Sequence, residues 1–212
     1  MARGKAATFE LQRGAIQEAA ADLIAAKGFH NTSMAEIART CGVSKPLLYH
    51  YYRDKEHILF DIADFHVDRL LKLVEDVLAG TDAPRLQLER MICRFLDVYV
   101  SGRSFHVVLV QDVKFLHAVQ REQIIDKERR IVGAFADTIE GIEPGLRGQR
   151  LDKAVTMVLF GMINWTFSWL RAEGELSSAE MGPLVTRIFL HGVTGLAQEA
   201  PGTVHRSPAA VV

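Results

Sequence analysis

Apolar residues recur at intervals of three and four along most of this chain, and that spacing constrains its fold more than any other feature. Between residues 9 and 27, for example, Ile16, Ala20 and Ile24 would share one face of a helix. We find no run that alternates polar and apolar residues between turn residues, which is the pattern of a half-buried strand. The sequence therefore predicts an all-α protein.

Capping and breaking residues predict where the helices begin and end. Gly28 ends the first helix, and Ser33 and Ser44 each open a short one. Residues 1–8 are predicted to form a loose tail and residues 141–148 a loop. The longer helices that follow are predicted at residues 55–78, 85–100, 105–117, 119–140, 149–171 and 179–198.

Composition and charge limit the class of protein. Hydrophobic residues make up 49% of the 212 residues and charged residues 24%, which suits a packed soluble core. The formal net charge of −1 excludes a globally basic nucleic-acid coat. Residues 1–60 nevertheless hold eight Lys/Arg and six Asp/Glu, whereas the remaining residues hold 17 and 20. A mildly basic first quarter is compatible with local contact to DNA.

Targeting and metal-binding signals are absent from the sequence. The N-terminal stretch MARGKAATFELQRG has no apolar signal core, and the longest uncharged run, residues 154–170, is shorter than the ~20 residues of a membrane span. Cys41 and Cys93 form no CxxC pair and suggest neither a disulfide framework nor a zinc site. We therefore expect a cytoplasmic protein with no membrane partner, no metal site and no cofactor.

Two short helices joined by a glycine-containing turn predict a helix-turn-helix. The turn is Cys41-Gly42-Val43, and the second helix follows Ser44. In this motif the N-terminal residues of the second helix enter the DNA major groove. Lys45 can donate to guanine, and Pro46 and Leu47 can pack against thymine methyl groups.

Three of the four tyrosines lie in this second helix, at Tyr49, Tyr51 and Tyr52. Polar-tipped rings at positions 49–51 can donate to phosphate oxygens, and so can Lys55. The alternative is that some of these side chains are core, and the four-residue spacing of Leu48 and Tyr52 predicts that both are buried. The predicted DNA-binding set is Thr32, Ser33, Ser44, Lys45, Pro46, Leu47, Tyr49, His50, Tyr51 and Lys55.

The run TSMAEIARTCGVSKPLLYHYYRDKEHIL resembles the DNA-binding head of the tetracycline-repressor (TetR/AcrR) family over about residues 10–60. It departs from that family's pattern at Cys41 for alanine, Pro46 for glycine and Tyr52 for phenylalanine. The matching positions are Ile37, Ala38, Gly42, Val43, Ser44, Tyr49, Tyr51, Lys55 and Ile58.

This resemblance implies a homodimer that binds a near-palindromic operator, represses transcription and leaves DNA when a small effector binds. It also implies that the last two long helices of each subunit form a four-helix dimer interface. We accordingly expect three regions: a helix-turn-helix DNA-binding domain at 1–55, a helical ligand-binding and dimerisation domain at 56–198, and a flexible tail at 199–212.

Large apolar side chains between residues 85 and 170 predict an effector pocket. Phe95 and Tyr99 share one helix face by their i, i+4 spacing, and so do Trp165 and Trp169. The alternative is that aromatic residues at helical spacing form an ordinary hydrophobic core that binds no ligand. The predicted ligand-binding set is Met91, Phe95, Tyr99, Phe105, Leu109, Phe115, Met162, Asn164, Trp165, Ser168 and Trp169.

The phrase FGMINWTFSWLRAEGELS, residues 160–177, is similar to the penultimate helix of a TetR subgroup that responds to CoA thioesters. That resemblance implies an apolar tunnel for an acyl or aryl group. The alternative is an efflux-type regulator of amphipathic or cationic drugs, for which Asp97 or Asp112 would supply a buried carboxylate.

Two rival functions use other chemistry. An enzyme is disfavoured because no HExxH, glycine-rich phosphate loop or nucleophile elbow is present. A helical adaptor would use the same head to bind protein, and its binding would lack the steep salt dependence of DNA binding. The sequence thus predicts a ligand-responsive transcriptional regulator. The family resemblance implies a repressor, and an activator is the variant that the sequence itself does not separate from it.

Overall fold

The computed structural model describes residues 2–147, 150–171 and 173–198, with side chains from residue 9 to residue 195 of those ranges. All regular structure in these residues is helical, so the predicted fold class is confirmed. The helices are α1 (Ala2–Lys27), α2 (Met34–Thr40), α3 (Lys45–Tyr51), α4 (Lys55–Leu78), α5 (Pro84–Ser101), α6 (Arg103–Asp112), α7 (Ala118–Ile142), α8 (Asp152–Asn164) and α9 (Ser178–Gln198).

The predicted boundaries differ from the structure at the N-terminus and at one loop. Helix α1 begins at Ala2, so the stretch that was expected to be a loose tail is helical, in keeping with its alanines and basic residues. Helix α7 continues to Ile142, two residues into the predicted loop. The predicted flexible tail at 199–212 lies outside the described residues.

Helices α1, α2 and α3 form a small bundle around an apolar centre. Ile16, Ile24, Ile37 and Leu48 are all fully buried there. The turn between α2 and α3 depends on Gly42, whose φ of +66° lies in the left-handed region that favours glycine. The amide of Val43 then donates to the carbonyl of Ala38 at 2.9 Å, which closes the turn.

Helix α4 connects this bundle to the larger body. It packs against α1 on one side and against α5, α6 and α7 on the others, and ten of its residues are buried. Helix α6 also packs against α1. The two parts of the chain therefore share an apolar interface instead of being joined by a free linker.

Helices α5 and α9 approach each other closely at Gly182. A Cβ atom at this position would lie 2.3 Å from the sulfur of Cys93, so no larger residue fits without movement. Gly182 therefore serves close packing between two helices of one subunit.

Helix α8 is shorter than predicted. The α-helix ends at Asn164 and residues Trp165–Ser168 continue as a 3-10 turn. The hydroxyls of Thr166 and Ser168 donate to the carbonyls of Ile163 and Trp165, at 2.6 and 2.7 Å. Such local side-chain bonds compete with the regular helix ladder. Among the described residues, no helix is long and apolar enough to span a membrane.

Candidate DNA-binding surface and effector cavity

Helix α3 is held at its start by local capping. The hydroxyl of Ser44 accepts a hydrogen bond from the amide of Leu47 at 3.3 Å, and Pro46 sits in the first turn, where its missing N–H leaves no gap. Ser33 caps α2 in the same way through the amide of Glu36 at 3.2 Å. Capping fixes the direction in which the first residues of α3 project.

The outer face of α3 carries most of the predicted DNA-binding residues. Ser44, Lys45, Pro46, Leu47, Tyr49 and His50 are exposed, with Tyr49 at 53% and Leu47 at 39%. Leu48 and Tyr52 are buried, as their spacing predicted. The helix therefore has one face locked to the bundle and one face open to a partner.

Tyr51 lies between these two faces. Its ring is partly buried and stacks on Phe9 of α1, with centroids 4.5 Å apart and planes 26° apart. The stacking holds the ring in place, while part of it stays exposed beside His50. Tyr51 thus contributes part of its ring to the open face of α3 and packs the rest against α1. The sequence had left open that some of these tyrosines belong to the core.

Two residues of the predicted set point inward. Thr32 is 2% exposed and its hydroxyl donates to the carbonyl of Gly28 at 3.0 Å. The ammonium of Lys55 donates to the carbonyls of Phe29 and Thr32 at 2.7 and 2.9 Å and lies 4.2 Å from the Phe29 ring centroid. We correct these two assignments: both side chains hold the turn between α1 and α2 by donating to backbone carbonyls.

A polar network fixes the far end of α3. The phenol of Tyr52 donates to the carboxylate of Asp61 at 2.5 Å, and Arg13 pairs with the same carboxylate. The side-chain amide of Gln17 donates to the backbone carbonyl of Asp61 at 2.8 Å. Burial, reinforced by the Asp61 carboxylate, raises the pKa of Tyr52, so the phenol stays a donor. Helices α1, α3 and α4 are thereby tied together.

A cavity of about 200 Å³ lies in the body, between α4, α5, α6, α7 and α8. Val110 and Met157 are about half exposed and lie at its opening to solvent. The volume falls below the roughly 300–1,000 Å³ of pockets that enclose a drug-sized ligand. The lining residues are Val67, Leu70, Phe95, Tyr99, His106, Leu109, Val110, Glu128, Ile131, Val132, Met157, Phe160 and Asn164.

Most of the cavity wall is apolar, and its polar groups come from four helices. The phenol of Tyr99 donates to the side-chain oxygen of Asn164 at 2.7 Å. His106 stacks on the Tyr99 ring at a centroid distance of 3.7 Å, and its Nδ1 lies 3.2 Å from Nε2 of the buried His66. Burial lowers the pKa of His106 to about 3 and, together with Arg69, that of His66 to about 4. Both imidazoles are neutral at pH 7.

Among the described residues that line the cavity, Glu128 carries the carboxyl group. Burial raises the pKa of this carboxyl. It has no Lys or Arg nitrogen within 4 Å in the described part of the chain, whereas its neighbour Lys127 donates to Asp64 and Asp68 of α4 at 2.6 and 2.7 Å. The cavity is therefore apolar with a weakly acidic wall.

Four of the predicted ligand-binding residues line the cavity: Phe95, Tyr99, Leu109 and Asn164. The others lie elsewhere, and we correct them. Met91 is fully buried in the core between helices, Met162 is partly buried against that core, and Phe105 packs beside Phe65 outside the cavity.

The tryptophans were also misplaced by the prediction. Trp165 and Trp169 are 67% and 47% exposed and do not line the cavity. The Ser168 hydroxyl donates a hydrogen bond to the carbonyl of Trp165 and is not among the lining residues of the cavity. Phe115 stacks on Phe29 at the base of the small bundle, far in the fold from α8.

The sequence contained a signal for two residues that the prediction missed. Ile124, Ile131 and Phe135 form a buried stripe on α7, and Glu128 sits on the same stripe. His106 is likewise a buried polar residue, directly followed by the buried Val107, Val108 and Leu109 of α6. A polar residue on a buried stripe of a helix indicates either a group with a hydrogen-bond partner inside the protein or a ligand-binding site.

Helices α2 and α3 are joined by a turn at Gly42, the outer face of α3 is open, and a larger helical body carries the pair. This arrangement defines a helix-turn-helix DNA-binding protein. Residues 16–62 match the family model described as bacterial regulatory proteins, tetR family, and residues 81–193 match the model described as tetracyclin repressor-like, C-terminal domain. The chain belongs to the tetR family and is a transcriptional regulator, not an enzyme.

Individual relatives agree with this family. The chain is 35% identical to a TetR-family regulator of known crystal structure from Bordetella parapertussis 12822, which superimposes with a TM-score of 0.82 over 86% of this chain and 96% of that one. It is 27% identical to the transcriptional repressor KstR2 of Mycobacterium tuberculosis over 86% of this chain and 93% of that one. AibR, crystallised in complex with isovaleryl coenzyme A and operator DNA, shares the fold at 22% identity and a TM-score of 0.71, over 84% and 97% of the two chains.

Proposed function

We propose that this protein is a repressor that binds palindromic operator DNA as a homodimer and is released by a small apolar effector, an acyl- or aryl-CoA thioester. The observation that carries the proposal is the open face of α3, where polar and apolar groups project from a helix whose other face is buried. A short helix held in this way is the element that enters the major groove.

Each exposed residue of α3 has a role that suits its chemistry. Lys45 is the donor for a guanine edge, and Pro46 and Leu47 offer apolar contact to thymine methyls. Tyr49 and His50 face phosphates, and part of Tyr51 joins them. Ser33 and Ser44 lie at helix starts, where free backbone amides favour anions. The DNA-binding domain in this proposal covers residues 1–55, and the effector and dimer domain covers 56–198.

The effector class is suggested by the cavity and by the relatives. An opening of about 200 Å³ between apolar walls suits the acyl or aryl end of a ligand and not a whole coenzyme. The nucleotide would then lie outside, beyond Val110 and Met157. AibR binds isovaleryl coenzyme A within the same fold, and an acyl group of that size fits this volume.

Two contacts lead from the cavity to the DNA-binding domain. Helix α6 supplies His106, Leu109 and Val110 to the cavity wall, and the segment after it places Phe115 against Phe29 at the end of α1. Helix α7 supplies Glu128, and the adjacent Lys127 pairs with α4. A ligand that moves α6 or α7 would therefore shift the elements that hold α3. Release requires that the ligand bind one of the two arrangements more tightly.

Dimerisation is proposed through α8 and α9. Apolar side chains on these helices are exposed in the single chain, including Val158 at 61% and Ile188 at 56%. Trp165 at 67% extends the same exposed side of α8. Contiguous apolar surface of this kind marks an interaction site.

One observation favours a second candidate, a regulator that responds to cationic drugs. Glu128 is a carboxyl group beside the aromatic rings of Tyr99, Phe95 and Phe160, and such a group attracts an ammonium ion. Asp97 and Asp112, which the sequence suggested for this role, do not line the cavity. Asp97 accepts from Ser178 at 2.5 Å, and Asp112 is buried near Phe29.

The test uses fluorescence anisotropy with a labelled DNA fragment from upstream of the protein's own gene. We expect binding that weakens steeply as salt rises, and a further loss of roughly tenfold or more in Tyr49→Ala. Isovaleryl-, hexanoyl- and benzoyl-CoA are then added beside the free acids and a cationic dye. Reversal by one thioester supports the proposal, and reversal by the dye alone supports the second candidate.

Binding that no compound reverses would leave the operator-binding part standing and remove the effector assignment. A protein that binds no intergenic fragment near its gene, or binds it without salt dependence, would contradict the regulator as proposed and favour the adaptor.

A further inference from the structure

His106 lines the cavity and carries a buried hydrogen-bonding atom without a partner in the described residues. The side chain is 2% exposed, its Nδ1 faces Nε2 of His66, and its own Nε2 has no partner within the described structure. A buried polar atom without a partner is unfavourable by an amount comparable to a lost hydrogen bond. Because His106 lines the cavity, a bound molecule can supply the missing partner.

The other polar groups of the wall restrict what that molecule can be. The phenol of Tyr99 donates its hydrogen to the side-chain oxygen of Asn164, so this hydrogen is not free for a ligand, and the donor left on Asn164 is an uncharged amide. No Lys or Arg is among the described lining residues, and Glu128 is. An anionic group inside the cavity would meet a carboxyl and no cation, which makes its desolvation uncompensated.

We propose that the cavity selects a ligand whose buried part is an uncharged hydrocarbon group carrying one oxygen function, which pairs with Nε2 of His106. This inference rests on the proposal that the cavity is the effector site, and it narrows the effector to oxygenated and uncharged acyl or aryl groups. Plain hydrocarbon groups leave Nε2 unpaired, and dicarboxylic groups place a charge beside Glu128.

The His66–His106 pair determines which oxygen function fits best. If His66 donates within the pair, Nε2 of His106 carries the hydrogen and donates to a carbonyl or hydroxyl oxygen of the ligand. If His106 donates, its Nε2 presents a lone pair and takes a hydroxyl. A hydroxyl group suits both tautomers, so it is the function used in the test. The lowered pKa values of both imidazoles keep the pair neutral.

The experiment measures binding of four matched benzyl compounds to the full-length protein: toluene, benzyl alcohol, benzoate and benzylamine. These probes need neither DNA nor coenzyme A, so the outcome is independent of whether a thioester releases DNA. Dissociation constants come from NMR titrations of protein labelled with ¹⁵N-histidine. We expect benzyl alcohol, but not toluene, to shift the Nε2 resonance of His106, and benzoate not to bind.

Variants distinguish the contribution of the hydrogen bond to affinity from the different hydration of the free probes in water. The ratio of the toluene and benzyl alcohol dissociation constants should fall about tenfold in His106→Phe, the change produced by losing one such bond. Glu128→Gln should leave that ratio unchanged, and benzoate should still not bind, because the substitution adds no cation to the lining. If His106→Phe does not fold, the Nε2 shift in the wild-type protein decides alone.

Three results would overturn the inference. The first is an unchanged ratio in His106→Phe, or an Nε2 resonance that does not respond to benzyl alcohol. The second is tighter binding of benzylamine than of benzyl alcohol, lost in Glu128→Gln, which would assign the cavity to cations. The third is no binding of any of the four probes.

Discussion

The ring of Phe115 stacks on the ring of Phe29, with centroids 5.7 Å apart and planes 14° apart. Phe29 lies in the turn between α1 and α2, and Phe115 follows α6, so this contact joins the DNA-binding bundle to the body. His30 adds an edge-on contact with Phe115 at 4.1 Å. The contact is one of the places where a change in the body can reach the bundle.

Phe115→Ala should loosen this junction. Removing a half-buried ring in an aromatic stack lowers the free energy of unfolding by about 2–3 kcal/mol. Hydrogen-exchange mass spectrometry should show faster exchange in peptides covering residues 27–34, with no change in α9. Val119→Ala, at a 73% exposed position, is the control and should change neither. Unchanged exchange at 27–34 would show that the stack does not hold the turn.

Lys45 and Lys55 should behave oppositely when each is replaced by methionine. Lys45→Met removes a donor from the open face of α3 and should weaken operator binding by about 1–3 kcal/mol at unchanged stability. Lys55→Met removes the ammonium that two carbonyls accept and should lower the free energy of unfolding by about 1–3 kcal/mol. Anisotropy and urea denaturation measure the two effects. Loss of DNA affinity without loss of stability in Lys55→Met would instead place Lys55 on a phosphate.

Gly182→Ala should destabilise the contact between α5 and α9. The added methyl group would overlap the Cys93 side chain, and overpacking of this kind lowers stability by about 1–3 kcal/mol. Gly133→Ala on α7 is the matched control, since nothing lies within 4 Å of its added Cβ. That control should raise stability by up to ~1 kcal/mol through helix propensity. Equal urea midpoints for the two variants would contradict the close approach.

Val158→Glu should produce monomers if α8 and α9 form the subunit interface. A carboxylate placed in a dry apolar interface is costly to desolvate, whereas the 61% exposed position tolerates it in a single chain. Light scattering after size-exclusion chromatography gives the mass, and the 23.6 kDa chain makes monomer and dimer easy to separate. Val119→Glu should remain dimeric. A dimeric Val158→Glu would place the interface elsewhere.

Stability should decline as the pH is lowered from 7 towards 5. Burial holds the pKa of His66 near 4 and of His106 near 3 in the folded state, below the ordinary value of 6.5. The unfolded chain therefore binds more protons between about pH 6.5 and pH 4, and the free energy of unfolding falls by roughly 3 kcal/mol between pH 7 and pH 5. His106→Phe should lose about half of this dependence, measured by urea denaturation. The same slope in both proteins would show that other groups cause it.

Local sequence patterns predicted the helices and the open face of α3 well. Leu48 and Tyr52 were predicted to be buried and are, because a spacing of four on a short amphipathic helix leaves one face for the core. The caps at Ser33 and Ser44 follow from side chains that reach the amides of their own helix. These features depend on residues close together in the chain.

Inward-pointing side chains were not predictable in the same way. Lys55 resembles a phosphate contact in sequence, but the carbonyls that accept its protons come from residues 23 and 26 positions away. Phe115 and Trp165 are as apolar as Phe95, yet one joins the DNA-binding bundle and the other is exposed. Their places depend on which helix packs against them.

The sequence by itself determined an all-helical chain, a helix-turn-helix and the residues that α3 presents, since these follow from periodicity and capping within single helices. The tertiary structure decided the cavity, which needs walls from α4, α5, α6, α7 and α8. It also brought Glu128 and His106 to one space and left Nε2 of His106 unpaired. A cavity is the volume that several helices fail to fill, so it depends on their mutual packing and not on the pattern of any one of them.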